Sequence, residues 1–280
     1  LKEISGNLSS RTKALASHPD KTSILEYADA SVYALEYVSL RMSPELHATI
    51  KDLHRVGASQ FGCFLDYLAR RIIGEAKDLD VSDDRAVRVI SQKDVFEDEL
   101  RDVDIVACYD RYTDTTYSTV DVLEEVCVTS WCHNISFGDF DRDKSANLHM
   151  RVCCLKKYMD ELRDILLSCV DTADIIKLNP KLGAFGIPAD ADLIVGERLI
   201  EIKATKDVGE ECMLQLLGYA ALASLNPKYA LQINIVEVFN PLLNKLYRVD
   251  ISNWSFESRK KFLVRGLNAI IEKPKARVKS

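Results

Sequence analysis

The 280-residue chain lacks any uninterrupted apolar run of the roughly 18 to 20 residues that a membrane-spanning helix needs. Its first residues, LKEISGNLSSRTK, lack the apolar stretch of a secretory signal. With 47% hydrophobic and 29% charged residues, the composition excludes disordered, collagen-like and low-complexity chains. We therefore expect a soluble intracellular protein of the cytoplasm, the nucleus or an organelle, with no membrane partner.

Cysteine is too infrequent for a disulfide scaffold, with eight residues in the whole chain. Most of these residues lie among apolar neighbours, which favours buried, reduced thiols. The chain has no CxxC, and Cys132–His133 is its one adjacent Cys/His pair, so we predict no zinc or iron–sulfur site. The chain also lacks a G-x-S-x-G elbow, a Walker-type glycine loop and an H-E-x-x-H helix, and we interpret its five scattered histidines as structural or surface residues.

The net charge of −6 is distributed unevenly along the chain. Residues 77–126 contain 15 Asp and Glu against 6 Lys and Arg, and this acidic stretch has no explanation in the sequence. Residues 256–280 contain 8 Lys and Arg against 2 Glu. The basic segment either follows a phosphate backbone or forms a solvated helix face.

Hydrophobic periodicity predicts that the N-terminal part is helical, with helices over 31–41, 57–76, 120–133 and 148–170 and a loop over 135–147. The pattern changes near Leu178. It then predicts strands over 192–195, 199–205, 230–239 and 245–251 and helices over 210–224 and 256–271. We expect one α/β (α+β) domain over residues 1–280. Its mainly helical part, 1–177, would pack on a hairpin, helix and mixed-sheet core, 178–280.

The segment GIPADADLIVGERLIEIKATK, residues 186–206, combines charged side chains with two predicted strands. Side chains alternate along a strand, so Glu201 and Lys203 share one face while Ile200 and Ile202 point into an apolar layer. A short turn brings Asp192, at the start of the preceding strand, alongside Glu201. Two close carboxylates favour a hard divalent cation, and an ammonium group beside them can stabilise a developing phosphorane. These groups are suited to phosphodiester hydrolysis.

Asp192 and Glu201–Ile202–Lys203 resemble the signature of the PD-(D/E)XK nuclease superfamily, an acidic residue at the start of one strand and (D/E)-x-K on the next. Gln215 and Tyr219, in the following predicted helix, resemble the Gln-x-x-x-Tyr motif of the RecB-like and lambda-exonuclease-like branch. Their spacing places both on one helix face. The resemblance implies a restriction-endonuclease-like fold, a mixed sheet flanked by helices, with metal-dependent deoxyribonuclease activity.

The resemblance also implies a role for each matching residue. Asp192, Glu201 and the Ile202 carbonyl would bind Mg²⁺ or Mn²⁺, Lys203 would orient or activate the attacking water, and Gln215 and Tyr219 would place the scissile strand. The expected substrate is DNA rather than RNA, at ends or in single strands, with Lys206, Arg198 and the basic C-terminus contacting phosphates.

Three further carboxylates are candidates for completing the metal site. Asp66 follows Gly62 by four residues, which resembles the N-terminal helix of the branch. In the alternative interpretation Asp66 pairs with Arg70 or Arg71 on its own helix. Asp190 and Glu161 are the other two candidates. The chain departs from the family in lacking the Pro-Asp dipeptide, because Ala189 separates Pro188 from Asp190.

Two other functions remain open at this point. One is a non-catalytic protein that keeps the nuclease scaffold for nucleic-acid binding or assembly. The other is an interaction protein in which Glu201 and Lys203 form a surface pair on an edge strand. Divalent-dependent cleavage of DNA that is lost in Lys203→Ala would separate both from the nuclease.

Overall fold

The protein is described here from a computed structural model, which describes residues 7–30, 35–101, 103–170, 175–184, 186–228 and 231–268. Its fold is mixed α/β, as expected from the sequence. None of the helices in these segments is both long and apolar enough to cross a lipid bilayer.

Six strands form a single mixed sheet. They are β1 (Glu36–Ser39), β2 (Ile176–Leu178), β3 (Leu193–Val195), β4 (Arg198–Ile202), β5 (Ile235–Asn240) and β6 (Lys245–Asp250). Their order is β1-β6-β5-β4-β3-β2, and all neighbours are antiparallel except β4 and β5. The parallel pair is joined through a helix, as a parallel connection requires.

The described helices flank this sheet. They are α1 (Leu8–Ala16), α2 (Lys21–Tyr27), α3 (Pro44–Val56), α4 (Ala58–Lys77), α5 (Asp84–Ser91), α6 (Ile105–Thr113), α7 (Leu123–Phe137), α8 (Arg142–Val152), α9 (Met159–Ser168), α10 (Glu210–Leu225) and α11 (Phe256–Lys261). Short 3₁₀ segments cover Cys153–Tyr158 and Pro241–Leu243, and a π-helical segment, Phe262–Asn268, continues α11.

The sheet separates two apolar cores, because successive side chains of each strand enter opposite layers. Ile200 of β4 and Phe239 of β5 pack in the core formed with α3, α4, α7, α8 and α9. Leu199 and Val238, on the same two strands, pack in the core formed with α1, α2, α10 and the π-helical segment. A third, smaller cluster joins α5, α6 and α7. Helices α4 and α10 both contact β4, one from each layer.

The strongest periodic signals are confirmed. The helix predicted over 57–76 is α4, and the helix predicted over 210–224 is α10. The predicted hairpin is β3 and β4, although β4 ends at Ile202 rather than at residue 205.

The prediction of a helix over 31–41 is wrong, because residues 36–39 form edge strand β1; residues 31–34 lie outside the described part. Tyr37 and Val38 favour a strand, and pairing with β6 outweighs a weak helical period. The predicted 135–147 loop is also wrong, since it is reduced to residues 138–141. Gly138 there has a left-handed φ of 68°, and the Asp141 side chain caps α8.

Other element boundaries also differ from the predicted ones. A 3₁₀ segment interrupts the helix predicted over 148–170, and β5 begins at Ile235 rather than at residue 230. The closing helix changes to π-helical geometry at Phe262, and its predicted end at residue 271 lies outside the described residues.

Candidate functional site

An open cleft of about 600 Å³ lies where β4 ends and β3 begins. Its wall residues come from both layers of the fold. Ala58, Gly62 and Asp66 border it from one face of α4, whereas Gln215 and Tyr219 border it from α10. The cleft thus lies at an end of the sheet, where the two layers separate.

The hairpin brings three charged side chains together at the base of the cleft. Pairing of Leu193 with Ile200 places Asp192 opposite Glu201, as the alternation of the two strands predicts. The Asp192 Oδ2 accepts a 2.8 Å hydrogen bond from the Ile202 amide, and the Lys203 Nζ donates to Glu201 Oε1 at 2.7 Å. Asp192, Glu201, Ile202 and Lys203 all border the cleft.

The electrostatics of this group reflect its burial. Removal from water raises the pKa of the Asp192 carboxyl well above its usual value, and the neighbouring Glu201 and Asp66 carboxylates raise it further. For Lys203, burial lowers the pKa, but the Glu201 and Asp192 carboxylates outweigh this effect and raise it above the ordinary value. The carboxylates therefore repel one another while holding the lysine as an ammonium ion.

One oxygen of the group has no hydrogen-bond partner. Glu201 is only 3% exposed, and its Oε2 is buried without a donor among the described residues. A buried carboxylate oxygen in this state is costly unless a cation or a donor reaches it. Within the same residues, however, no three His, Cys, Asp or Glu side chains are already arranged as a set of metal ligands.

The Gln-x-x-x-Tyr pair lies on one face of α10, beside the carboxylates. The Gln215 Nε2 donates to the Tyr219 hydroxyl at 2.9 Å and to the Ser9 hydroxyl of α1 at 2.8 Å. Burial raises the pKa of the Tyr219 hydroxyl well above its usual value, and Glu201 and Asp192 add to this effect. Tyr219 is therefore a neutral hydrogen-bonding group.

Asp66 pairs with Arg70 on its own helix and also borders the cleft. The Arg70 Nε donates to Asp66 Oδ1 at 2.9 Å, and its Nη2 bonds the second carboxylate oxygen. The Arg70 Nη1 donates to Asp83 Oδ2 at 2.7 Å. Asp66 is thus neutralised by Arg70, as the alternative interpretation of its position predicts, yet it is near enough to Asp192 to raise the pKa of that carboxyl.

The other two candidates for a third carboxylate have different positions. Asp190 borders the cleft, but its Oδ2 accepts from Arg85 at 2.6 Å and lies 3.4 Å from the Lys181 ammonium. Glu161 lies away from the cleft, and its carboxylate accepts from the backbone amide and hydroxyl of Ser43. Glu161 therefore fixes the start of α3, and the structure does not bring it to the other carboxylates.

Several residues are predicted to contact phosphates, and none of those that the structure describes borders the cleft. Arg198 lies on the opposite face of the sheet from Glu201, because their positions differ by an odd number, and it pairs with Glu237 at 3.2 Å. Lys206 is exposed beyond β4. Lys273, Lys275, Arg277 and Lys279 lie outside the described residues.

Sequence reasoning missed three residues on the other side of the cleft. Arg85 of α5 and His133 and Phe137 of α7 all border it. The Arg85 Nη1 bonds the His133 Nδ1 at 2.8 Å. Burial lowers the pKa of the His133 imidazole to about 4, with the Arg85 charge as the second cause. No local sequence pattern links these helices to the hairpin, so the sequence alone does not predict that these three residues border the cleft.

Comparison of the chain with family models, with curated proteins and with solved structures finds no match in any of the three.

Proposed function

We propose that the protein is a metal-dependent nuclease that hydrolyses phosphodiester bonds of DNA, acting on ends or single strands. The observation that carries this proposal is the group of Asp192, Glu201 and Lys203, which share one cleft at the ends of two adjacent strands. Burying two carboxylates beside each other lowers the stability of the fold, and a hairpin with only a structural role would gain nothing from it.

The donor set fits a hard divalent cation. Asp192 and Glu201 offer carboxylate oxygens, and the Glu201 Oε2 is buried without a donor among the described residues. The Ile202 carbonyl lies at the same end of β4. These three groups would hold Mg²⁺ or Mn²⁺, and Asp66 borders the same cleft. When bound, the cation would lower the pKa of a coordinated water and stabilise charge on a phosphoryl oxygen.

The remaining residues of the cleft have roles that follow from their hydrogen bonds. The Lys203 ammonium, fixed by Glu201, can orient the attacking water and donate to the phosphate. Gln215 donates both Nε2 hydrogens to Ser9 and Tyr219, so its amide is held rigidly and its Oε1 can accept from a base or sugar of the scissile strand. Open access from solvent suits a polymeric substrate.

The order of the elements supports a restriction-endonuclease-like core. An antiparallel hairpin carries the charged residues, and α10 then joins β4 to the parallel strand β5. The motif helix follows the hairpin directly, so Gln215 and Tyr219 lie against the same strand end. This arrangement agrees with the fold that the (D/E)-x-K resemblance implies.

The test is cleavage of single-stranded and duplex DNA with Mg²⁺, with Mn²⁺ and with chelator. Lys203→Met retains much of the apolar stem of the lysine and removes the ammonium, so cleavage should fall by at least about 100-fold. Lys245→Met, on β6 and away from the cleft, is the matched control and should cleave like the wild type.

The possible results separate the alternatives. Divalent-dependent cleavage lost only in the Lys203 variant supports the nuclease. DNA binding without cleavage in either metal indicates a scaffold that binds nucleic acid, and the absence of both overturns the proposal in favour of an interaction protein.

A further inference from the structure

The side of the cleft formed by α5 and α7 carries an exposed aromatic ring that the proposed hydrolysis does not use. Phe137, the last residue of α7, is 56% exposed and borders the cleft. Its ring centroid lies 4.9 Å from that of His133, with 36° between the planes. The Arg85 guanidinium lies 5.6 Å from the same centroid. The ring is thus supported by two side chains while much of it remains open to solvent.

The hydrogen bond between Arg85 and His133 determines which nitrogen of the imidazole carries the proton. A guanidinium only donates, so the His133 Nδ1 must accept, and the proton of the neutral ring is on Nε2. No described residue hydrogen-bonds this Nε2–H. Because His133 borders the cleft, the structure offers an unused donor beside the exposed ring.

The charged groups on this side of the cleft are more evenly balanced than those at its base. Arg85 donates to Asp190 at 2.6 Å and lies near the Asp83 carboxylate, and Asp190 lies 3.4 Å from the Lys181 ammonium, so two cations face two carboxylates. At the base, Asp192 and Glu201 are balanced by the single ammonium of Lys203. Without a bound cation, a phosphate therefore meets less repulsion on the α5–α7 side than beside the two carboxylates at the base.

From these contacts, and resting on the nuclease function proposed above, we propose that Phe137, His133 and Arg85 bind one nucleotide of single-stranded DNA. The unpaired base stacks on the open face of Phe137. Its phosphate accepts a hydrogen bond from His133 Nε2, whose tautomer is fixed by Arg85. Bases inside a duplex are already stacked on their neighbours, so this subsite selects an unpaired strand or a frayed end over intact duplex.

The subsite can be tested by binding alone, without cleavage. We would measure fluorescence anisotropy of a labelled single-stranded oligonucleotide, and of the blunt duplex of the same sequence, in chelator. Phe137→Leu keeps an apolar cover over His133 but lacks an aromatic face. It should weaken single-strand binding between about fivefold and 150-fold, the range for loss of one base–aromatic stack, and leave duplex binding unchanged. Phe137→Tyr should retain the affinity of the wild type.

Tyr117→Ala is the matched control. Tyr117 is also an exposed aromatic residue, at 43%, with an arginine guanidinium, that of Arg111, 5.2 Å from its ring, but it lies outside the cleft. Its removal should change neither affinity.

The outcomes distinguish the subsite from the nuclease function. Unchanged single-strand affinity in Phe137→Leu, or an equal loss for single strand and duplex, overturns the subsite even if the wild type cleaves DNA. Phe137-dependent single-strand binding in a protein that never cleaves with Mg²⁺ or Mn²⁺ supports the subsite and overturns the nuclease. Absence of any DNA binding by the wild type overturns the subsite.

Discussion

Asp192 and Glu201 lie side by side in a partly desolvated site, although proteins usually avoid burying two like charges together. Apolar side chains at both positions would extend the adjoining core without this repulsion. Repulsion of this kind is typical of functional sites, because the arrangement that a reaction needs is often less stable than an apolar one.

We expect Asp192→Asn to stabilise the metal-free protein. Folding raises the pKa of this carboxyl, so stability falls as pH rises from the unfolded value through the folded one. The amide removes that loss, and its oxygen can still accept from the Ile202 amide. The gain should be about 0.5–2 kcal/mol at pH 7 by urea denaturation in chelator.

The control for this variant is Asp190→Asn, because Asp190 is already balanced by Arg85 and Lys181. That variant should not stabilise the protein. A decrease in the unfolding free energy of Asp192→Asn would contradict the repulsion argument.

His133 should make the protein sensitive to acid. Its folded pKa of about 4 lies below the ordinary value, so the stability it contributes is present above pH 6.5 and is lost as pH falls towards 4. The loss should be on the order of 3 kcal/mol. Groups near the ring include Arg85, Arg70, Asp66 and Asp83.

In His133→Asn, the side-chain oxygen can still accept from Arg85, but the titration is removed. Unfolding free energies measured between pH 7 and 4 should therefore fall less steeply than in the wild type. His18→Asn, between α1 and α2, serves as the control and should retain the wild-type slope. Identical slopes for wild type and His133→Asn would show that the imidazole is not the acid-sensitive group.

Local sequence pattern was sufficient to place Asp192, Glu201 and Lys203 together, because strand alternation and one short turn determine their positions. The same reasoning could not find Arg85 or His133. They reach the cleft because α7 packs on α4 and α5 packs on α7, which involves contacts between distant parts of the sequence.

At the level of elements, the two helices beside the cleft contain glycines with opposite structural roles. A Cβ at Gly62 of α4 would meet no atom within 4 Å, since this position faces the open cleft. A Cβ at Gly218 of α10 would lie 2.6 Å from the Leu8 Cδ1, because α1 packs directly on this position. The first glycine leaves space for a ligand, and the second allows close helix packing.

Alanine at each position should therefore change stability in opposite directions. Gly62→Ala should stabilise the fold by about 0.5–1 kcal/mol through helix propensity. Gly218→Ala should destabilise it, because Leu8 is buried and would have to move. Urea denaturation measures both, and stabilisation by Gly218→Ala would show that α1 does not pack as described.

The elements also show where periodicity succeeds. Helix α4 has 20 residues and a long buried face, so its pattern repeats often enough to be unambiguous. Residues 36–39 form a four-residue strand whose side chains are all exposed, so no alternation of burial marks it. Its identity is determined by β6, which pairs with it from about 210 residues further along the chain.

Over the whole molecule, the cleft depends on contacts between distant segments of the chain. Buried Arg11 of α1 donates to the carbonyls of Leu267 and Gly186, each at 3.3 Å. Ser9, on the same helix, holds Gln215. Helix α1 is thus connected to the π-helical segment, to the loop before β3 and to the cleft.

Arg11→Met should destabilise the protein by about 1.5–3 kcal/mol, because the buried carbonyls lose a charged donor while the apolar stem is kept. Lys13→Met, exposed on the same helix, should stay within about 0.5 kcal/mol of the wild type. Chemical denaturation of the two variants measures the difference. Equal stabilities would show that the guanidinium does not hold α1 in place.

The cleft draws its walls from residue 7 through residue 219, with contributions from α1, α4, α5, α7, the hairpin and α10. A chain still emerging from the ribosome has no complete cleft until α10 has been synthesised and α1 has docked against it. Any activity of this cleft is therefore absent during most of translation and begins only once these segments have packed together.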